Sequence, residues 1–138
     1  MRYEESFGIV PLRKVEGEWQ VFLVEMLKSH WGFPKGHAEV GETAFFSAQR
    51  ELKEETNLDI VSKIFSDPIV EQYQFMAQGE KVQKQVTYFI AEVSGDVILQ
   101  SAEIKNGLWF DFPQAMDKLT YVEGKKVLSQ VVKIMMSV

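Results

Sequence analysis

Three glutamates lie within five positions of this chain, directly after an arginine, in the segment RELKEE at residues 50–55. In a helix, Glu51 shares one face with Glu54 and Glu55, because side chains three and four positions apart are neighbours. Carboxylates held this closely repel each other, but they are also the oxygen ligands that Mg²⁺ and Mn²⁺ prefer. The spacing leaves two interpretations: an acidic helix face in water, or a site for a divalent cation.

The loop that precedes these glutamates, FPKGHAEVGE at residues 33–42, favours the cation site. Gly36 lets a main-chain carbonyl approach a metal or phosphate closely, and Lys35 supplies the point charge that suits phosphate. His37 follows that glycine. Lys35 and His37 are equally consistent with an exposed loop, and Arg50 is interpreted mainly as a structural partner of Glu54 or Glu42.

Hydrophobic periodicity predicts the elements that position this segment. A helix from about Thr43 to Thr56 would turn Phe45, Ala48 and Leu52 towards the core and place Glu55 at the edge of that apolar face. A second helix is predicted over Val122 to Met136, with a short one at PQAMDKL between them. The predicted strands are SFGIVPLR, WQVFLVEM, KIFSDPIVEQYQFM, KQVTYFIAEV and GLWFDF, the first two joined as a hairpin. Mixed strands flanked by helices indicate an α/β (α+β) fold.

The amino-acid composition disfavours several classes of protein function. The 138 residues fit one domain, 1–138, with a real hydrophobic core. There is no cysteine, hence no disulfide or thiolate chemistry, and the net charge of -5 disfavours a general nucleic-acid binder. With no apolar run of about 20 residues and no signal-like N-terminus, the sequence favours a cytoplasmic protein without a membrane partner.

Together these residues resemble the signature of the Nudix hydrolases, Gly-x5-Glu-x7-Arg-Glu-U-x-Glu-Glu-x-Gly-U, where U is a bulky aliphatic residue. The matching positions are Gly36, Glu42, Arg50, Glu51, Leu52, Glu54, Glu55 and Leu58. The signature's last glycine is Asn57 here, and asparagine is the next-best residue for the left-handed conformation that ends a helix. The departure therefore leaves the chemistry of the signature intact.

The resemblance implies an α/β/α sandwich with a mixed central sheet that hydrolyses a nucleoside diphosphate linked to another group. It implies Mg²⁺, with Mn²⁺ as the alternative, held by Glu51, Glu54 and Glu55 with the Gly36 carbonyl and an acid outside the signature. Glu54 or Glu51 would be the general base. Glu42 and Arg50 would support the motif structurally.

Further segments resemble the asymmetric diadenosine tetraphosphate hydrolases of this family: HWGFPKGHAEVGE, KQVTYFIAEV, EIKNGLWF and LTY. The likeness implies that Glu103 is the outer metal ligand or base, and that cations neutralise the polyphosphate while tyrosines stack on adenine. The implied substrate-binding residues are Lys35, His37, Lys84, Tyr88 and Tyr121.

Several of these residues also have ordinary structural interpretations. Tyr88 and Tyr121 could be packing residues, Lys84 an edge-strand charge and Glu103 a solvated loop residue. Trp109 is assigned to the core.

Three functions remain open. The leading one is a pyrophosphohydrolase that releases ATP and AMP from diadenosine tetraphosphate. The second keeps the chemistry but acts on a nucleoside triphosphate, a nucleotide sugar or an RNA 5′-triphosphate end. The third is a catalytically silent nucleotide-sensing module, which the presence of all three glutamates disfavours. The expected partner is a small-molecule nucleotide, with no stable nucleic acid complex, and the chain is expected to be a monomer or weak dimer.

Overall fold

One mixed sheet forms the centre of the computed structural model, which describes residues 1–137. Its strands are β1 (Arg2–Val15), β2 (Glu18–Met26), β3 (Trp31–Gly32), β4 (Lys35–Gly36), β5 (Asp59–Lys63), β6 (Ile69–Ala77), β7 (Glu80–Ser94) and β8 (Ile104–Asp111). The order across the sheet is β3-β2-β1-β7-β5, with β4 on β1, β6 on β7 and β8 on β2. The β1–β7 pair is parallel and the other pairs are antiparallel.

Helices cover both faces of this sheet. They are α1 (Ala44–Thr56), α2 (Phe112–Lys118) and α3 (Val122–Met136). Ala48 and Leu52 of α1 pack on one face with Ile9 and Phe89, whereas α2 and α3 pack on the opposite face. The fold is therefore the predicted α/β/α sandwich, with one apolar core on each side of the sheet. No helix within residues 1–137 has both the length and the apolar character that crossing a membrane requires.

Most element predictions are confirmed. The first and last helices match within one residue. The hairpin between β1 and β2 turns at Glu16 and Gly17, both with positive φ. The predicted strand KIFSDPIVEQYQFM is wrong as a single element: β5 ends at Lys63 and β6 begins at Ile69, with an irregular segment between them. Pro68, which has no N–H to donate to a sheet, closes that segment.

Two side-chain predictions are also wrong. Trp109 is partly buried at the border of the core instead of fully inside it: its ring packs edge-on against the buried Phe22, and the Arg13 guanidinium lies 4.3 Å from the ring centre. Lys84 does not lie at a sheet edge, because β7 is paired on both sides, with β1 and β6. Its ammonium group is therefore held inside the fold, which gives it a different role from that of an edge charge.

Candidate active site

Helix α1 is fixed at both ends, and this sets which way its glutamates point. Thr43 accepts a hydrogen bond from the Phe46 N–H at 3.2 Å and caps the first turn. Asn57 adopts the left-handed conformation (φ 67°) and its N–H donates to the Lys53 carbonyl at 2.9 Å, as the sequence predicts. With the helix anchored between these caps, Glu55 is buried with 2% exposure, at the border of the apolar face.

Arg50 organises the acidic groups around it. Its Nε donates to Glu42 at 2.7 Å, and its Nη1 lies 3.0 Å from Glu51 and 3.1 Å from Glu54. Its Nη2 donates to the His37 carbonyl at 2.9 Å, which ties the loop to the helix. The guanidinium, with a main-chain hydrogen bond, lowers the pKa of Glu42 to about 2. Glu42 and Arg50 thus have the supporting geometry expected of them.

Gly36 permits the closest approach in the site. A Cβ on this residue would collide with the carboxylate of Glu51, so only glycine lets the main chain and that carboxylate lie side by side. Strand β4 holds Gly36 there, because it pairs with β1 through Phe7 opposite Gly36. The glycine of the signature therefore leaves room for the Glu51 carboxylate in its present position, and a side chain there would force that carboxylate to move.

Glu55 lies where its charged form is disfavoured, although the Lys35 main chain donates a hydrogen bond to it. Burial, followed by the neighbouring carboxylates of Glu51 and Glu103, raises its pKa well above the usual range of a carboxyl group. Main-chain hydrogen bonds connect Glu55 to Glu103 through Gln100: Gln100 donates to the Glu55 carbonyl at 3.1 Å, and Glu103 donates to the Gln100 carbonyl at 3.2 Å. The turn that carries Glu103 is therefore fastened to the end of α1.

Two lysines also line the site. Lys84 is buried, donates to Ser6 Oγ at 2.8 Å and lies 3.5 Å from Glu4. Burial and the nearby positive charge of Lys84 lower the pKa of Lys35 to about 8. The structure thus holds two ammonium groups near each other in the cavity wall, which is a suitable environment for a polyanion.

A cavity of about 810 Å³ lies between these groups. Of the residues that the sequence singles out, those on its wall are Lys35, Gly36, His37, Arg50, Glu51, Glu55, Lys84, Tyr88, Glu103 and Tyr121. Glu54 is absent from that wall, because Arg50 holds its half-exposed side chain outside. His37 is exposed, and its Nδ1 lies 2.9 Å from the Glu5 carbonyl.

Aromatic side chains occupy the far end of the cavity. Tyr121 is 55% exposed and its ring centre lies 5.5 Å from that of His30. Across the cavity, Tyr73 and Phe75 of β6 have ring centres 6.1 Å apart. Tyr88 is different: it is only 6% exposed and packs edge-on against Phe33 in the core, which matches its packing interpretation.

Sequence reasoning missed His30, Tyr73 and Phe75. Alternation along β6 puts Tyr73 and Phe75 on one face with Glu71, and this period-two pattern is visible in the sequence EQYQF. The alternation shows that these side chains share one face of β6, but it does not show which part of the protein that face contacts. That depends on the packing of β6 against β7 and α3, which no local signal contains.

The donors present fit a hard divalent cation. Glu51 offers a carboxylate beside the Gly36 main chain, and Glu55 adds a second acid whose pKa is raised first by burial and then by Glu51 and Glu103, so a cation there would favour its charged form. Within residues 1–137, no three histidine or acidic side chains are gathered closely enough to hold an ion as they stand, since Glu54 is turned to Arg50. The complete ligand set predicted from the sequence stays a prediction.

A sequence model of the NUDIX domain matches residues 2–131. The chain belongs to the Nudix family. Its activity class is therefore that of a Nudix hydrolase, which acts on pyrophosphate bonds. The fold, an eight-stranded mixed sheet with three helices, agrees with this membership.

Individual Nudix relatives are similar over most of the chain. The asymmetrical bis(5'-nucleosyl)-tetraphosphatase of Caenorhabditis elegans is 30% identical over 90% of this chain and 91% of its own. A solved structure of a C. elegans Ap4A hydrolase binary complex superposes with a TM-score of 0.75 at 26% identity, over 97% of this chain and 98% of that one. The 8-oxo-(d)GTP phosphatase of Mycolicibacterium smegmatis is 31% identical over 75% of this chain, but that match spans only 30% of its own length.

Proposed function

We propose that this Nudix hydrolase is a magnesium-dependent pyrophosphohydrolase that cleaves diadenosine tetraphosphate asymmetrically, by water attack at phosphorus, into ATP and AMP. One observation carries the proposal: a single cavity joins an acidic wall, a pair of lysines and two groups of aromatic rings. Its volume of about 810 Å³ is near the upper end of the roughly 300 to 1,000 Å³ typical of small-molecule sites. The similarity to a tetraphosphatase along 91% of that enzyme's length supports the same substrate.

The lysines in this proposal bind the phosphate chain. Lys35 and Lys84 repel each other in the buried site, as the lowered pKa of Lys35 shows. A polyphosphate placed between them relieves that repulsion and gains two charge-assisted contacts. His37, exposed at the mouth of the cavity, is placed to contact a phosphate group further along the chain.

The aromatic groups recognise the bases. Tyr121 presents a largely exposed ring at the cavity wall, and Tyr73 with Phe75 presents a second surface. A purine stacks well on such rings, and each base–aromatic stack is worth roughly 1–3 kcal/mol. Tyr88 belongs to the cavity floor, where its burial limits it to contact through the ring edge.

The acidic wall carries the chemistry. Glu51, Glu54, Glu55, Glu103 and the Gly36 carbonyl form the proposed ligand set for a divalent cation, which supplies positive charge against the phosphates and polarises water. Glu51 is favoured over Glu54 as general base, because Glu51 lines the cavity whereas Glu54 does not. Arg50 holds both carboxylates and limits their movement. Residues 1–138 are proposed to form one catalytic domain.

A nucleoside triphosphate is the second candidate substrate. The similarity to an 8-oxo-(d)GTP phosphatase favours it, and the same acidic wall and lysines serve its shorter phosphate chain. The two substrates differ in what they require of the aromatic end. A dinucleotide has a second base to place, whereas a triphosphate has one.

A product analysis tests the proposal. The protein is incubated with Mg²⁺ and separately with diadenosine tetraphosphate, nucleoside triphosphates including 8-oxo-dGTP, nucleotide sugars and triphosphorylated RNA, and the products are resolved by chromatography. ATP and AMP in equal amounts, with far slower turnover of the other compounds, is the expected result. Two ADP molecules contradict the asymmetric cut, and faster turnover of 8-oxo-dGTP favours the second candidate. Binding without turnover of any compound indicates a sensing module.

A further inference from the structure

Strand β6 is a long edge strand without the usual protection. Among the described residues it pairs only with β7, so every second main-chain N–H and C=O along its outer side lacks a strand partner. Edge strands are commonly blocked by lysine, proline or inward charges. Its sequence IVEQYQFMA contains no lysine, arginine or proline, and Glu71 is its single charge. The strand is therefore able to accept another strand.

The two faces of β6 have different occupants. Tyr73 and Phe75 face the cavity. By strand alternation the opposite face carries Val70, Gln72, Gln74 and Met76, with Val70 47% and Met76 66% exposed, although Gln74 also contributes to the cavity wall. On that outer face Gln72 Nε2 donates to Gln85 at 2.8 Å, and Gln74 Nε2 donates to Gln83 at 2.7 Å. Each of these edge amides keeps a second N–H and its own oxygen for a further partner.

Symmetry restricts how two copies of this strand can pair. In an antiparallel pair related by a two-fold axis through the sheet, one residue lies opposite its own copy. Tyr73 is the midpoint of Ile69–Ala77, so the register centred on Tyr73 is the one that pairs all nine residues. Opposed residues in that register have side chains on the same face of the joined sheet.

In the Tyr73-centred register, side chains of similar chemical character lie opposite each other on the outer face. Val70 lies opposite Met76 of the second copy, so two exposed apolar side chains meet. Gln72 lies opposite Gln74, so the two amide pairs become ladders of four amides across the joined sheets. Glu71 lies opposite Phe75, so the two carboxylates do not face each other. Shifting the centre to a neighbouring residue opposes Val70 to Gln74, or Gln72 to Met76, and loses the match.

We propose that β6 binds β6 of a second copy of this chain in that antiparallel register, giving one continuous sheet through two protomers. The proposal does not depend on which nucleotide the protein cleaves. A single strand pair is smaller than the roughly 1,200 to 2,000 Å² of stable interfaces, so the dimer forms reversibly. Because Tyr73 and Phe75 line the cavity, the second copy would extend one cavity wall in each protomer.

Sedimentation equilibrium with two oppositely charged variants tests this pairing. The full chain is measured from about 1 μM to about 1 mM, the range of weak association. The double variant Q72E/Q74E places four carboxylates together across the proposed interface, and Q72K/Q74K places four ammonium groups there. Each double variant, measured by itself, should need at least a tenfold higher protein concentration than the unchanged chain to dimerise. An equimolar mixture should associate again, because every glutamate then faces a lysine.

The matched control is Q83E/Q85E, which makes the same change on the same face one strand further from the edge. It should dimerise like the unchanged chain.

Met76→Lys is an independent probe, because it places a charge opposite Val70 of the second copy. Circular dichroism checks that each variant is folded. A chain that stays monomeric to about 1 mM, a Q72E/Q74E variant that dimerises normally, or a mixture that fails to associate each overturns the proposal.

Discussion

The two walls of the cavity are built in opposite ways. On the α1 side, Arg50 connects Glu42, Glu51, Glu54 and the loop carbonyl in one network, and Glu55 is buried beside it. On the other side, Tyr121, Tyr73 and Phe75 are partly exposed rings with few polar contacts. The first wall is held in a single arrangement, whereas the second offers apolar surface that different bases can use.

This difference separates two parts of function. Charge placement within a fraction of an ångström decides the rate of phosphoryl transfer, and only a connected, partly buried network holds charges that well. Base recognition by stacking tolerates more variation, since every base has an aromatic face. Substitutions in the first wall should therefore act on turnover, and those in the second on substrate affinity.

The largest expected loss comes from Glu51→Gln. The change keeps the shape but removes the charge and the proton acceptor from the cavity wall, and we expect kcat to fall about 10²- to 10⁴-fold. Steady-state kinetics on the substrate found in the product analysis measures it. Glu54→Gln should cost less, because its side chain lies outside the cavity. Glu18→Gln, at an exposed position at the start of β2, is the control; an equal or larger loss from Glu54→Gln would reverse the assignment of the base.

Gly36→Ala should follow in size. The added Cβ collides with the Glu51 carboxylate and displaces it, and a displacement of about 1 Å costs about 10²-fold in rate. Gly32→Ala is the matched control, because a Cβ there meets no atom within 4 Å. Thermal unfolding of both variants distinguishes a local displacement from a general loss of stability. Equal kcat values for the two variants would contradict the close packing proposed at Gly36.

Tyr73→Ala tests the second wall. Loss of one stacking surface should raise KM about tenfold and leave kcat nearly unchanged. Tyr3→Ala, which removes a ring that is 73% exposed and outside the cavity, should change neither constant. A fall in kcat without a change in KM would show that Tyr73 acts on the chemical step and would remove the contrast between the walls.

The smallest expected effect concerns acid stability. The folded-state pKa of Glu42 is lowered from its ordinary 4.5 to about 2 by the Arg50 guanidinium, so its ionised form stabilises the fold. That contribution is complete above pH 4.5 and is lost as the pH falls towards 2. Glu42→Gln should lower the free energy of unfolding at pH 7, and the difference from the unchanged chain should narrow by pH 3. Urea unfolding across this range measures it; a constant difference would show that the Glu42 charge is not responsible.

The sequence predicts the first wall well because its signals are local. Helix α1, the left-handed Asn57 and the burial of Glu55 all follow from spacing along 15 residues or fewer. Apolar periodicity also predicts the helix over Val122 to Met136, and in the structure Val127, Leu128 and Val131 of that helix lie in the core. These features need no knowledge of which strands become neighbours.

The second wall depends on distant contacts and is therefore harder to predict. Tyr73 and Phe75 reach the cavity only because β6 pairs with β7. Lys84 resembled an edge charge until the parallel β1–β7 pair placed it inside. Trp109 lies in a strand with half-buried alternation, but its ring packs at the border of the core beneath the Arg13 side chain, a contact that is absent from any local pattern.

The parallel pairing of β1 with β7 has a consequence for synthesis of the chain. Glu4 and Lys84 are in contact although 80 positions separate them in the sequence. Contacts between residues so far apart in sequence form slowly during folding. A ribosome adds about 5–20 residues per second, so the acid-bearing helix leaves the exit tunnel seconds before the strand that carries Lys84. The nascent protein therefore has its carboxylates and Lys35 before it has Lys84, the second ammonium group proposed to bind the phosphate chain.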